Sequence, residues 1–98
     1  MTAAALGVPY ILSQAIHEIT LVIASHGDGL TTDGMYQLEG LDRLMLLAWN
    51  ADNHQLTWGV LRQAFYALFD YMERNDNFGA ARFDIYDGNH QVGEGMIA

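Results

Sequence analysis

Residues 57–97 read TWGVLRQAFYALFDYMERNDNFGAARFDIYDGNHQVGEGMI, and the fold turns on how this stretch is divided. Thr57 is a good N-cap, because its hydroxyl can accept one of the orphan amides of a first helical turn. After it Val60, Leu61, Ala64, Phe65, Leu68, Tyr71 and Met72 form an apolar stripe, while Arg62, Gln63, Asp70, Glu73 and Arg74 fall on the other side. That is the 3.6-residue period of an amphipathic helix. Asp70 and Arg74 form an i,i+4 pair worth about 0.3–0.5 kcal/mol, and Asn75 to Asn77 end the helix.

The period then changes. Ala81, Phe83 and Ile85 alternate with Arg82, Asp84 and Tyr86, and Asp87-Gly88-Asn89 supplies residues that tolerate positive φ. This predicts a β-hairpin. A two-residue loop at either Asp87-Gly88 or Gly88-Asn89 sets Phe83 and Ile85 on one face with Val92 and Met96, and that face is expected to be the core. Gly93 and Gly95 would lie on the opposite face as bare backbone, with room for a bulge or for another chain.

Working outward, Leu41 to Trp49 is apolar apart from Asp42 and Arg43. It suits a buried strand, although Leu38, Leu41, Leu44, Met45 and Ala48 also match a helical face. The polar break at Asn50–Gln55 before the strong helix favours the strand. The loop from His26 to Gly34 is rich in turn residues. From Tyr10 to Ser25, Ile11, Leu12, Ala15, Ile16, Ile19, Val22 and Ile23 recur at helical spacing, with Pro9 as a first-turn residue and Gly27 as a left-handed stop. A strand at Ile19–Ser25 is the rival reading. Residues 1–8 read as a flexible or edge-contacting arm. The expectation is a single α+β domain over residues 1–98. It is a two-layer sandwich, with a small mixed sheet and a C-terminal hairpin packed against two amphipathic helices. A right-handed crossover would join the first strand to a parallel partner.

Composition narrows the function. Charged residues are 16% of the 98, below the usual figure of about 25%, although a small domain has much surface to cover. Apolar surface left over marks an interface. Net charge is −8, and the four basic residues are Arg43, Arg62, Arg74 and Arg82. A nucleic-acid backbone needs clustered Lys/Arg, so that partner is not expected, nor is an anionic membrane surface. Ser13, Gln14, His17 and Glu18 interrupt the N-terminal apolar run, which argues against a signal peptide or a membrane span. The chain has no cysteine, hence no disulfide and no thiolate chemistry. Compartment is not legible.

Chemistry-bearing residues are sparse. His17-Glu18 opens like a zinc-protease helix, but Leu21 stands where the second histidine is required. His26, Asp28 and Asp33 make a weak metal candidate without the spacing of a calcium loop. Asp52 and His54, beside Trp49 and ahead of a helix N-terminus, make a weak acid–base candidate. Neither serine, Ser13 or Ser25, sits on a nucleophile elbow. With no phosphate loop and no dinucleotide fingerprint, no cofactor is expected. Tyr66 and Phe69 flank the helical stripe, and Tyr86 stands on the outer side of the hairpin. With Met96 on the last strand they are the interface candidates.

The expected function is therefore non-enzymatic: a protein-interaction or self-assembly module, its partner itself or another protein. The alternative is a small enzyme or ligand binder with a pocket near His54, Asp52 and Trp49. A lysine-free secreted effector or toxin-like protein is a weaker one.

Overall fold

A computed structural model describes residues 3–31, 34–40, 43–51 and 54–98, with side chains from Gly7 onward. Asp33, Leu41, Asp42 and Asp52 lie outside the described residues. The helix after Thr57 runs Trp58–Arg74 and is the second of two, preceded by a helix at Ala3–His26. These are α2 and α1. Thr57 is extended (φ −99°, ψ 159°), and its hydroxyl accepts from the Val60 amide at 3.3 Å. The amides of Trp58 and Gly59 are taken by the Gly29 carbonyl at 2.9 Å and the Asp28 carboxylate at 2.8 Å. The first three donors of α2 are thus satisfied inside the protein.

α1 starts well before the proline. Pro9 lies within it, so residues 3–8 are its first turns rather than an arm, and Val8 is fully buried. Pro9 removes one intrahelical amide and crowds the carbonyl four residues before it, a cost of about 3 kcal/mol set against burial of Val8, Ile11 and Leu12 around it. Val8, Ile11, Leu12, Ala15 and Ile19 face the core. Gly27, at φ 79°, stops the helix and donates to the Ile23 carbonyl at 2.8 Å. Gly7–His26 has mean hydropathy 1.3 and is long and apolar enough to cross a membrane by length and composition. The polar residues that argued against a span do not break it on that measure. Only 28% of that window is buried, which leaves Leu21 exposed.

The strands are β1 (Met35–Glu39), β2 (Met45–Asn50), β3 (Ala81–Asp87) and β4 (His90–Ile97), in the sheet order β1-β2-β4-β3. The α+β, two-layer arrangement is as expected, and α1 lies over β1 while α2 lies over β3 on one face. The sheet is not mixed. Every neighbouring pair is antiparallel. β2 and β3 do run the same way with α2 crossing between them, but β4 is inserted between the two and converts the parallel pair into two antiparallel ones. β1 was missed at the sequence level because its five residues, Met35-Tyr36-Gln37-Leu38-Glu39, alternate too briefly to stand out.

The hairpin carries the most consequential correction. Its loop is Gly88-Asn89, with Asp87 opposite His90 and Tyr86 opposite Gln91. The register then shifts, so that Ile85 pairs with Gly93, Phe83 with Gly95 and Ala81 with Ile97. Val92 is the extra residue of a β-bulge, and one extra residue reverses which side chains face which layer. Gly93 and Gly95 therefore belong to the core face, while Met96 points to the other side. What approaches these glycines is not another chain. A Cβ on Gly93 would sit 2.8 Å from Leu56, and one on Gly95 would fall onto the Phe83 ring. Val92 itself remains in the core.

The core centres on an aromatic chain. Tyr36 contacts Trp58 edge-on (centroids 6.1 Å) and Phe65 (5.7 Å), and Phe65 contacts Phe83 edge-on (6.3 Å). The Tyr36 hydroxyl is buried with no hydrogen-bond partner among the described residues. Burial first, and the charge of Glu18 second, hold its ionisation well above the ordinary value of 10.0. Two results follow. Tyr36→Phe removes an unsatisfied buried hydroxyl, so stability at pH 7 should stay level or rise by up to about 1 kcal/mol. Because the folded state disfavours the phenolate, stability is intact below pH 10 and falls as pH rises above it. Urea titrations at pH 7 and pH 11 should show this alkaline loss reduced in Tyr36→Phe. A drop at pH 7 of more than about 1 kcal/mol would mean that the hydroxyl is satisfied.

Candidate functional site

Of the catalytic candidates the structure describes His54, while Asp52 lies outside the described residues. His54 is exposed in the loop after β2, and its ring lies 5.7 Å from that of His90. Trp49 is on β2, where its indole Nε1 donates to Glu94 Oε2 at 3.1 Å. A small polar cleft follows β2, lined by Thr31, Gly34, Asn50, Gln55 and Leu56, and neither His54 nor Trp49 borders it. Its floor is structural: Asn50 Oδ1 accepts the Leu56 amide at 2.8 Å, tying the loop back to β2.

Of the metal candidates the structure describes His26 and Asp28, while Asp33 lies outside the described residues. His26 is the exposed last residue of α1, and Asp28 is engaged as a cap on α2. No group of three His, Asp or Glu side chains suited to a metal ion occurs among the described residues. The α2 N-terminus, considered as an anion site, has its first amides occupied by Gly29, Asp28 and Thr57.

The interface candidates fall into separate regions. Tyr66, 53% exposed, and Phe69 border a shallow groove of about 420 Å³ between the helices, with Ser13, Ile16, His17 and Thr20 on the α1 side. Phe69 is braced from behind by Phe78, with ring centroids 5.4 Å apart. Tyr86 is exposed near the hairpin turn. Met96 is half-buried on the sheet face away from the two helices.

That open face holds Met96 and Trp49 together with residues the sequence reading did not single out. Pairing places Met35 beside Trp49, Gln37 beside Leu47 and Glu39 beside Met45. It also places Leu47 beside Met96 and Trp49 beside Glu94, with Arg82 and Asp84 beyond them on β3. The Gln37 amide reaches Met45 Sδ at 3.7 Å, which fixes the two on one side. The centre of the face is thus Met45, Leu47, Trp49 and Met96, half-buried, with Met35 49% exposed at its margin. Charged and polar groups, Gln37, Glu39, Arg82, Asp84 and Glu94, stand around or beside it. An antiparallel sheet with one solvated face ordinarily alternates apolar-in with polar-out. β2 does not alternate: Met45, Leu47 and Trp49 are as apolar as Leu46 and Ala48 behind them. The continuous run was the available signal, since such strands are covered on both faces. Comparison with protein-family models, with curated proteins and with solved structures finds no match to this chain.

Proposed function

We propose that this protein is a non-enzymatic self-assembly module that works by associating with copies of itself. The reading rests on one observation above the rest: a two-layer domain leaves the centre of its sheet apolar on the side away from the helices. Apolar surface there gains about 25 cal/mol for each Å² removed from water, and a charged rim around an apolar centre is the usual anatomy of an interface. Low overall charge density and the largely uncovered α1 point the same way. Among the described residues catalysis has no comparable support: neither His54 nor Trp49 borders the cleft after β2.

Each copy carries a net charge of −8, so association works against mutual repulsion, which salt screens over a Debye length of about 8–10 Å. Light scattering across a wide concentration range should therefore give a discrete multiple of 10.9 kDa. The multiple should persist to lower concentration at about 0.3 M salt than at about 0.02 M. A monomer at high concentration and high salt would remove the reading.

A further inference from the structure

We infer that a second copy of this chain docks along the free edge of β3, pairing strand to strand about a two-fold axis through Phe83, so that the two sheets become one. The inference rests on the self-assembly reading above and names its contact. Met45 and Ala98 exchange both backbone bonds beside β2 and β4, at 2.8 and 3.0 Å. Backbone direction alternates along a strand. Glu94 and Met96 therefore also turn their amides and carbonyls to β2, while Gly93, Gly95 and Ile97 turn theirs to β3. Their partners Ile85, Phe83 and Ala81 are satisfied in this way. The amides and carbonyls of Arg82 and Asp84 point outward along the edge, where they template a further strand.

The charges of the edge select that strand. With Ile85 in the core, Arg82 and Asp84 project to the side away from the helices. Both are exposed, and neither forms an ion pair among the described residues. Asp84 Oδ1 accepts from Gln91 Nε2 at 3.3 Å, but Asp84 also lies beside Glu94, a second carboxylate on the neighbouring strand. Like charges side by side are destabilising, and a cation offsets them. An antiparallel copy centred on Phe83 supplies it. Arg82 of each chain comes opposite Asp84 of the other, and the four side chains alternate in sign around the axis. Centring on Arg82 or on Asp84 sets that residue against itself, and centring on Ile85 leaves Arg82 beside the hairpin turn of the other copy. β1 is a poorer mate for β3. Its only charged residue is Glu39, so the contact gains one ion pair at most and repeats head to tail without closing. On the helix side the chosen register brings Phe83 against Phe83 and Ala81 against Ile85. They meet beside a cleft of about 500 Å³, where Ala64, Ala67 and Leu68 of α2 leave the edge of β3 open.

Two variants test the register, Asp84→Arg and Arg82→Asp, because each leaves like charges facing across the axis. By light scattering each alone should associate roughly tenfold or more weakly than the parent, while its circular dichroism matches the parent. Mixed in equal amounts, the two should recover a dimer, since the charges of one variant then answer those of the other. Exchanging both residues in one chain, Arg82→Asp with Asp84→Arg, should also associate as the parent does. If the parent associates and both single variants associate equally well alone, β3 is not the surface and self-assembly stands without it. If the single variants are weakened but neither the mixture nor the double exchange recovers, or if the parent grows into fibres, the two-fold axis at Phe83 is wrong. If the parent never associates, both readings fall.

Discussion

Gly95→Val should destabilise the domain by about 3 kcal/mol or more, at the upper end of overpacking penalties, and leave much of the chain unfolded in mild urea. The cause is local. The bulge at Val92 turns Gly95 to the core face directly opposite Phe83, and the Phe83 ring occupies the space a Cβ would need. Phe65, edge to face with that ring at 6.3 Å between centroids, limits its retreat on one side. Removing the ring should relieve the clash, so Gly95→Val in a Phe83→Ala background should cost less than in the parent. Residues in direct contact couple by about 0.5–3 kcal/mol, and a double-mutant cycle by urea unfolding reads the difference. Equal midpoints for Gly95→Val and the parent would show that the glycine face is not the core face.

Phe65→Ala should be comparably severe. Phe65 is fully buried and lies between Tyr36 and Phe83, so it joins the α2 side of the core to both edge strands of the sheet. Truncating a buried phenylalanine costs about 3–5 kcal/mol, part transfer and part residual cavity. Total stability for a domain of this kind is about 5–15 kcal/mol, so a large fraction is lost. In thermal unfolding this is a fall in Tm of roughly 15–30 °C. A fall of only a few degrees would mean that neighbouring side chains collapse into the space, which the closely spaced rings around it argue against.

These two cases show what was and was not legible. α2 was readable because every local signal agreed: cap, stripe, i,i+4 pair and polar end. The hairpin turn was readable for the same reason. Which face of β4 turns inward was not, because it depends on a single extra residue whose backbone placement has no signature beyond the glycines near it. The order of the strands was not readable either, since nothing local to β3 says that β4 will separate it from β2. Pro9 misled by being a good start signal inside a helix that had already begun. Of the interface candidates, Met96 lies on the open face and Tyr86 near its end, but Tyr66 and Phe69 lie across the molecule on the helices. The central apolar run of the open face was visible only as a continuous hydrophobic segment, and its two-sidedness is a property of the sheet.

The position of β4 has a consequence for synthesis. It is last of the four strands in chain order, yet it supplies the backbone partners of both β2 and β3. While the chain is emerging from a ribosome, the β1–β2 pair and β3 are complete but have nothing between them. Each presents an unpaired strand edge until residues 90–97 have cleared the exit. Such edges recruit strands from neighbouring chains. A polypeptide halted before His90 would therefore hold two disconnected portions of a sheet, and the final eight-residue strand is what makes them one.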